Sequence, residues 1–330
     1  MQTLDRDTER KTLAILKVLS ESSEPLGSIA ISRELERHGV FLSERAVRYH
    51  LRMTDERGYT EPMGRDGRIL TAEGLEELRL ALAPEQVGFI IEKLQLLAFN
   101  TTFDPARRTG LVPINTSLFH RKEFGDALQE MRLAFDAGLC ASRLVAVFHE
   151  GDKIGTRIVP KDKVGLATVC GVVVNGVLLK SSVPIESRFG GILEIKGGKA
   201  RRFVAIIKYD GTSLDPSEQY IRARMTAVRD AAASGTGRIL ANFREILAPS
   251  RIVVEKRIEE LRAAGINAVY LLGNTSEPIC QIEVGMNRVG MVLLGGLNPV
   301  ATAAEAGFDV ENSAESGLID YSRLVDIGRI

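Results

Sequence analysis

Cysteine is scarce in this 330-residue chain, and the three present stand far apart. Cys140, Cys170 and Cys280 make neither a disulfide framework nor the paired spacing of a metal site, so no metal and a reduced, cytoplasmic setting are expected. Histidine is nearly as rare, and none of His38, His50, His120 and His149 stands at ligand spacing from another. No apolar run approaches the ~18–20 residues of a membrane span, and Met1 to Asp7 lack the apolar stretch of a secretory signal. Charge of one sign is missing too. The 43 basic and 43 acidic residues balance, so nucleic acid would be bound only through local placement of charge. There is no Gly-x-Ser-x-Gly elbow, P-loop or dinucleotide-binding glycine pattern. An enzyme needs acid, base or nucleophile converging on a cleft, and Cys170 with a distant histidine is the best set on offer. The expectation is a non-enzyme without a cofactor.

The length suits about two or three domains of ~100–200 residues, and 45% hydrophobic with 26% charged residues suits a globular protein. Between Ser43 and Arg57, Arg45, Arg48, Tyr49 and Arg52 recur at i, i+3, i+4 and i+7, so on a helix they share one face. Val47, Leu51 and Thr54 fall roughly opposite, where a small core would receive them. Helices are expected over residues 7–21, with Leu13, Leu16 and Leu19 on one side, over 28–38 with Ile31 and Leu35, and from the N-cap Ser43 to Gly58. A hairpin around Asp66 and Gly67 and a helix capped by Thr71 through Leu82 follow. That order is a winged helix-turn-helix, whose third helix enters the major groove of DNA while the wing arginines Arg65 and Arg68 grip phosphate. A small helical domain used for protein contacts is the competing reading, and Tyr49 has two readings, groove contact or packing on the wing. The mixed charge of the segment, with Glu44, Asp55, Glu56 and Glu61 among the arginines, favours a dimer binding two half-sites.

The expected domains are residues 1–82, a linker helix and connecting segment over 83–138, and a regulatory domain over 139–330. Within the connecting segment, helices are expected over 85–99 and 122–137, the second with Leu128, Met131 and Phe135 on one side. Beyond it the texture turns to short β-rich runs with interleaved helices. Strands are expected over 144–148, 168–174, 176–179, 191–195, 203–207, 268–272 and 290–294, with helices over 216–224 and 250–264. The fold class is thus mixed α/β (α+β), a winged helix followed by a larger α/β effector-binding domain. Residues 163–171 echo residues 288–296, which reads either as a duplicated lobe or as a chance likeness of two buried strands. Arg188, beside Gly190 and Gly191, suits a site where backbone amides and a guanidinium meet a small carboxylate. A tight hairpin with a surface arginine is the bland alternative. Cys170 reads first as a small core residue.

Five ordered blocks carry a resemblance: residues 168–179, 184–191, 209–216, 243–246 and 290–301. With the winged helix ahead of one such domain, the chain closely resembles the archaeal nitrogen-regulatory repressor family, NrpR. The resemblance implies a repressor of nitrogen-assimilation and nitrogen-fixation operons that binds palindromic operator DNA as a dimer. It also implies release by 2-oxoglutarate, and an assembly that is a homodimer, a higher oligomer or a complex with a second NrpR-domain protein. For a dianionic 2-oxoacid, Cys170, Arg188, Gly190 and Gly191 are the first expected contacts, with Asn298 and Arg288 behind them. The alternatives are a winged-helix regulator of another pathway answering to a different small carboxylate, an enzyme with an appended DNA-binding domain, and a pure assembly module.

Overall fold

The computed structural model describes residues 6–22, 24–37, 39–81, 89–154 and 157–330. The chain divides into two compact units, Met1–Val87 and Gly88–Ile330. The first carries α1 (Arg6–Ser20), α2 (Ser28–Arg37), α3 (Glu44–Glu56), the two-stranded wing β1 (Thr60–Pro62) and β2 (Arg68–Leu70), and α4 (Ala72–Ala81). Its core joins Ile15, Val18 and Leu19 of α1 with Ile31 and Leu35 of α2 and Val47 and Leu51 of α3. Leu51 is fully buried there, so truncating it to alanine would cost about 2–5 kcal/mol, a large share of a small module's stability. Leu26, in the expected helix breaker, also forms a bridge with Arg68 of the wing, hydrogen-bonded both ways at 3.0 Å. Gly67 makes that approach possible, because a Cβ there would meet Leu26 backbone at 2.3 Å. The expected helix ends at His38 and Leu82, and the start at Glu85 with Val87, lie outside the described residues.

The second unit begins with α5 (Phe89–Asn100), β3 (Leu111–His120), α6 (Phe124–Asp136), β4 (Leu144–Phe148) and the short β5 (Lys153–Ile154) and β6 (Arg157–Ile158). Next come β7 (Lys163–Val169), α7 (Val172–Lys180), β8 (Ile185–Lys196), β9 (Lys199–Lys208), α8 (Pro216–Arg222) and α9 (Val228–Ser234). The chain closes with β10 (Gly237–Leu247), α10 (Arg251–Ala263), β11 (Val269–Thr275), β12 (Arg288–Leu294), α11 (Asn298–Glu305), β13 (Val310–Asp320) and β14 (Val325–Asp326). Residues 89–138 are therefore not a connecting segment. They supply β3, paired on both sides by β13 and β7, and α6, whose Leu128, Met131 and Phe135 are buried. The strand is hard to read in the sequence because Asn115, Thr116 and Ser117 are all buried within it and Pro113 interrupts it.

Two antiparallel sheets, ordered β13-β3-β7-β4-β14 and β11-β12-β10-β8-β9, hold the unit together. Their topology decides the internal echo. The run β3-α6-β4-β7-α7 recurs as β10-α10-β11-β12-α11, with β7 lying between β3 and β4 as β12 lies between β10 and β11. After its last helix each lobe sends a strand into the other's sheet: β8 pairs with β10, and β13 pairs with β3. The lobes are duplicated and interlocked, so both large cores draw side chains from both halves.

One segment departs from its sequence pattern. Residues 172–180 were expected to lie in two strands, 168–174 and 176–179, yet they form helix α7 after β7 stops at Val169. Seven of its nine residues are buried, so the helix is apolar all round and leaves no periodicity to distinguish it from a strand. Three successive valines argue locally for β structure, and tertiary burial overrides them. Gly176 sits where α5 ends, and a Cβ there would lie 2.5 Å from the Thr101 side chain.

Candidate DNA-binding face and ligand cleft

The Ser43 hydroxyl accepts the Ala46 N–H at 3.3 Å and so starts α3. Val47, His50, Leu51 and Thr54 are buried, which turns Arg45, Arg48, Tyr49 and Arg52 to the opposite, exposed face. Tyr49 is 60% exposed and meets the His50 ring edge-on. His50 shares a 3.2 Å hydrogen bond with the Thr12 hydroxyl; burial, then Lys11, lowers its pKa and favours the neutral ring. Arg48 is tethered. It pairs with Glu44, and its Nε donates to the Ser28 hydroxyl at 3.4 Å. Hydrogen bonds from Arg48 and then Ser28 hold the Glu44 carboxyl below its usual range.

The two wing arginines differ. Arg65 is exposed near the wing's tip. Arg68 is turned inward, its Nε donating to both oxygens of Asp55 at 3.0 and 2.9 Å. Asp55 also accepts the Thr60 hydroxyl at 2.6 Å, and Thr60 and Thr54 share a 2.7 Å hydrogen bond. The expectation of a phosphate grip at Arg68 is thus corrected: this side chain braces the wing against α3. Sequence spacing could not distinguish the two roles, because the partner is 13 residues away.

In the second unit a cleft of about 940 Å³ is lined by α5, the end of α7, the start of β8 and Arg288 of β12. Arg188 and Arg288, 100 positions apart in sequence, converge on its wall. Arg188 Nη1 lies 3.1 Å from Glu186 Oε1, and Arg288 Nη1 lies 3.0 Å from Glu186 Oε2. The buried Glu245 stands near the same pair, at 3.5 Å from Arg188 and 3.7 Å from Arg288. Lys208, Asp210, Gln95, Asn175 and Ser187 add polar groups to a cleft that also has apolar lining, including Ile91, Leu94 and Phe99. An open cleft with convergent cations and a few amides suits a small organic acid.

A second, much smaller chamber of about 20 Å³, room for roughly one water, lies where β7 meets α7 and β12 meets α11. Asn115, Cys170, Tyr209, Asp215, Asn242, Arg244 and Glu315 line it. Arg244 is 1% exposed, and its guanidinium lies 4.9 Å from the Tyr209 ring centroid. Its Nε donates to Asn175 Oδ1 at 3.4 Å, and the Asn175 amide donates onward to the Ser187 hydroxyl at 2.9 Å. Asn175 lines the cleft, so these hydrogen bonds link Arg244 of the chamber to the cleft wall. Glu315 is buried, and its Oε2 has no hydrogen-bond partner. Burial, then Asp215, pushes the Glu315 pKa up; Asp215 is raised too, chiefly by burial. Asp215 and Arg244 fall in blocks that carry the resemblance but were not singled out as site residues, and no motif marks Glu315; only the crossed strands gather the three.

The other expected ligand contacts do not join Arg188 and Arg288. Cys170 is buried, facing the small chamber, and burial raises its thiol pKa, which keeps it inert. Asn298 is fully buried: its Oδ1 accepts the Leu240 N–H at 2.8 Å and its Nδ2 donates to the Leu240 carbonyl at 3.0 Å. It locks α11 to β10. Gly190 and Gly191 are close-packing positions in β8, where a Cβ would lie 2.7 Å from Pro216 and from the Ala205 carbonyl oxygen respectively. These four are corrected from ligand contacts to structural residues, because each is already filled by the protein itself.

A winged helix with an outward arginine face, in one chain with a two-lobed α/β unit, defines a DNA-binding regulator as the class. Comparison with known proteins agrees. The model for NrpR regulatory domains NRD1 and 2 matches residues 87–326, and that for the ribonuclease R winged-helix domain matches residues 13–78. The chain belongs to the NrpR family. It is 36% identical to the global nitrogen regulator NrpRI of Methanosarcina mazei over 98% of this chain and 100% of that protein. The global nitrogen regulators NrpR of Methanocaldococcus jannaschii and Methanococcus maripaludis are each 31% identical, over 96% and 94% of this chain. The chain spans about half the length of those two, 55% and 54%. A crystal structure of a nitrogen repressor-like protein from Methanococcus jannaschii aligns with TM-score 0.60 and 28% identity over 72% of this chain and 97% of that one. The family is one of regulators, not enzymes. Among the described residues no helix is long and apolar enough to cross a membrane.

Proposed function

We propose that this protein is a cytoplasmic transcriptional repressor of nitrogen-assimilation and nitrogen-fixation genes that binds palindromic operator DNA as a dimer and releases it on binding 2-oxoglutarate. The observation that carries the ligand half is the convergence of Arg188 and Arg288 on one carboxylate at a cleft of about 940 Å³. A dianionic 2-oxoacid needs such a pair, with Lys208, Asn175 and Ser187 as further donors. The DNA half rests on the exposed stripe Arg45, Arg48, Tyr49 and Arg52 of α3, with Arg65 for phosphate. One winged helix of mixed charge reads a single half-site, which favours two copies on a palindrome. A homodimer supplies the second copy, or a second protein with the same regulatory domain completes the assembly. The names of the relatives supply the nitrogen context.

Release requires that 2-oxoglutarate prefer the dimer arrangement whose recognition helices no longer match the operator. A coupling of about 1–3 kcal/mol gives a several-fold to hundred-fold loss of operator affinity. The test is an operator gel shift with and without 2-oxoglutarate, beside calorimetry on wild type and Arg188→Ala. Operator release in wild type and lost ligand binding in the variant are expected. Operator binding indifferent to 2-oxoglutarate, with any companion subunit supplied, refutes the reading; release by another carboxylate from a panel of small acids would change the pathway and keep the mechanism.

A further inference from the structure

Glu186 and Glu245 are direct register partners on β8 and β10. Two like charges facing each other across a sheet are destabilising unless something neutralises them. Here Arg188 and Arg288 do so, yet the two carboxylates are not alike. Glu245 is 2% exposed in its side chain and lies behind the arginines, 3.5 and 3.7 Å away, its Oε2 without a hydrogen bond. Glu186 is 44% exposed on the cleft wall and gives one oxygen to each arginine, at 3.1 and 3.0 Å. That is how a ligand carboxylate would bridge the same two guanidinium groups. It is also the shorter and better pair of contacts.

We propose that Glu186 is an internal stand-in for the ligand: it bridges Arg188 and Arg288 on the cleft wall, and an acidic effector binds by exchanging its own carboxylate for that of Glu186. This rests on the reading of the cleft as the effector site and adds its regulation. The two arginines and two glutamates sum to zero charge, so a dianion gains full use of the arginines only when the Glu186 carboxylate swings away. Glu186 therefore sets how much effector is needed before the operator is released. Glu245, already buried beside the arginines, keeps them in place while the exchange occurs. Ligands with one carboxylate and no second anionic end gain least from the exchange, so the gate also favours diacids.

The test is calorimetry on the full chain with 2-oxoglutarate, and with glutarate as a diacid lacking the ketone. Glu186→Gln keeps the shape and removes the charge, and it relieves the like-charge pair, so the variant should fold. Its affinity for both diacids should rise by about tenfold, the scale of one displaced charge-assisted contact. Glu186→Asp keeps the charge on a shorter arm that cannot span both arginines, and should fall between. The operator gel shift should show the same order in the 2-oxoglutarate concentration needed for release. Wild-type binding that Glu186→Gln leaves unchanged or weakens overturns this inference alone. Equal binding by wild type, Glu186→Gln and Arg188→Ala puts the effector elsewhere and overturns both the gate and the cleft assignment. No binding by any of them removes 2-oxoglutarate as the effector and the gate with it.

Discussion

Asn115 and Asn242 occupy the same register position in the two lobes and turn into the same buried chamber. Asn115 pairs with Thr168 of β7, and Asn242 pairs with Leu293 of β12, the equivalent residue of the repeat. Asn115 Oδ1 accepts the Glu315 N–H at 3.0 Å, and Asn242 Oδ1 accepts the Tyr209 hydroxyl at 2.6 Å. Each asparagine thus anchors a segment following a strand that has crossed between lobes or its bulge. The two lobes meet through amide chemistry at their common centre. Such a buried, partnered polar group specifies one packing of the crossed strands, since any slip strands a donor.

Replacing Asn242 with alanine leaves the Tyr209 hydroxyl without its acceptor in a buried setting. The expected loss is about 1–3 kcal/mol, and Asn115→Ala should lose a similar amount by stranding the Glu315 N–H. Denaturant unfolding of the larger unit, followed separately from that of the winged helix, measures both. Changes within about 0.5 kcal/mol, the usual surface range, would show that the chamber does not hold the lobes together.

Arg68 and Asp55 give a test in which the two roles predict opposite signs. If Arg68 braces the wing, Asp55→Ala weakens operator binding and lowers the melting temperature of the winged helix, as Arg68→Ala does. A phosphate-gripping Arg68 would instead be freed by Asp55→Ala, and binding would strengthen. The double variant should be about as weak as either single one, since both remove the same contact.

Asn298→Ala should destabilise the larger unit by about 1–3 kcal/mol, because the Leu240 N–H then has no acceptor inside the core. Its affinity for 2-oxoglutarate should stay at the wild-type value under conditions where it is folded. A selective loss of ligand binding with unchanged stability would restore Asn298 to the ligand site.

Glu315 imposes a pH dependence with a definite sign. Burial raises its pKa above the ordinary value of 4.5, so the folded state holds a proton that the unfolded state has already lost as pH climbs past that value. The stabilisation is complete below the unfolded pKa and is lost as pH rises through the folded one. Glu315→Gln should flatten this decline, with melting temperatures of wild type and variant diverging toward alkaline pH. Parallel melting curves across pH 5 to 9 would show that the carboxyl is ionised throughout.

The winged helix was legible nearly element by element because its signals are local. Ser43 and Thr71 cap helices, Gly58 and Gly67 turn the chain, and the arginine stripe of α3 follows from a 3.6-residue period. The larger unit was harder. Helix α7 carries no period since it is buried all round, and β3 hides behind Asn115, Thr116 and Ser117. In the cleft, Arg188 and Arg288 were both named from their neighbourhoods, but nothing local paired them or pointed to Glu186. Cys170, Gly190, Gly191 and Asn298 looked like site residues because glycines and a small polar group beside an arginine also suit close packing.

By itself the sequence determined the order of elements in the first unit, the outward arginine face of α3, and the likeness of residues 163–171 to residues 288–296. Those properties follow from backbone preference and from periodicity, which act over a few residues. Only the tertiary structure decided that the duplicated lobes exchange strands, that Arg68 turns to Asp55, and that one carboxylate spans two arginines 100 positions apart. Such pairings join residues distant along the chain, and their geometry exists only once the sheets have closed around a shared core.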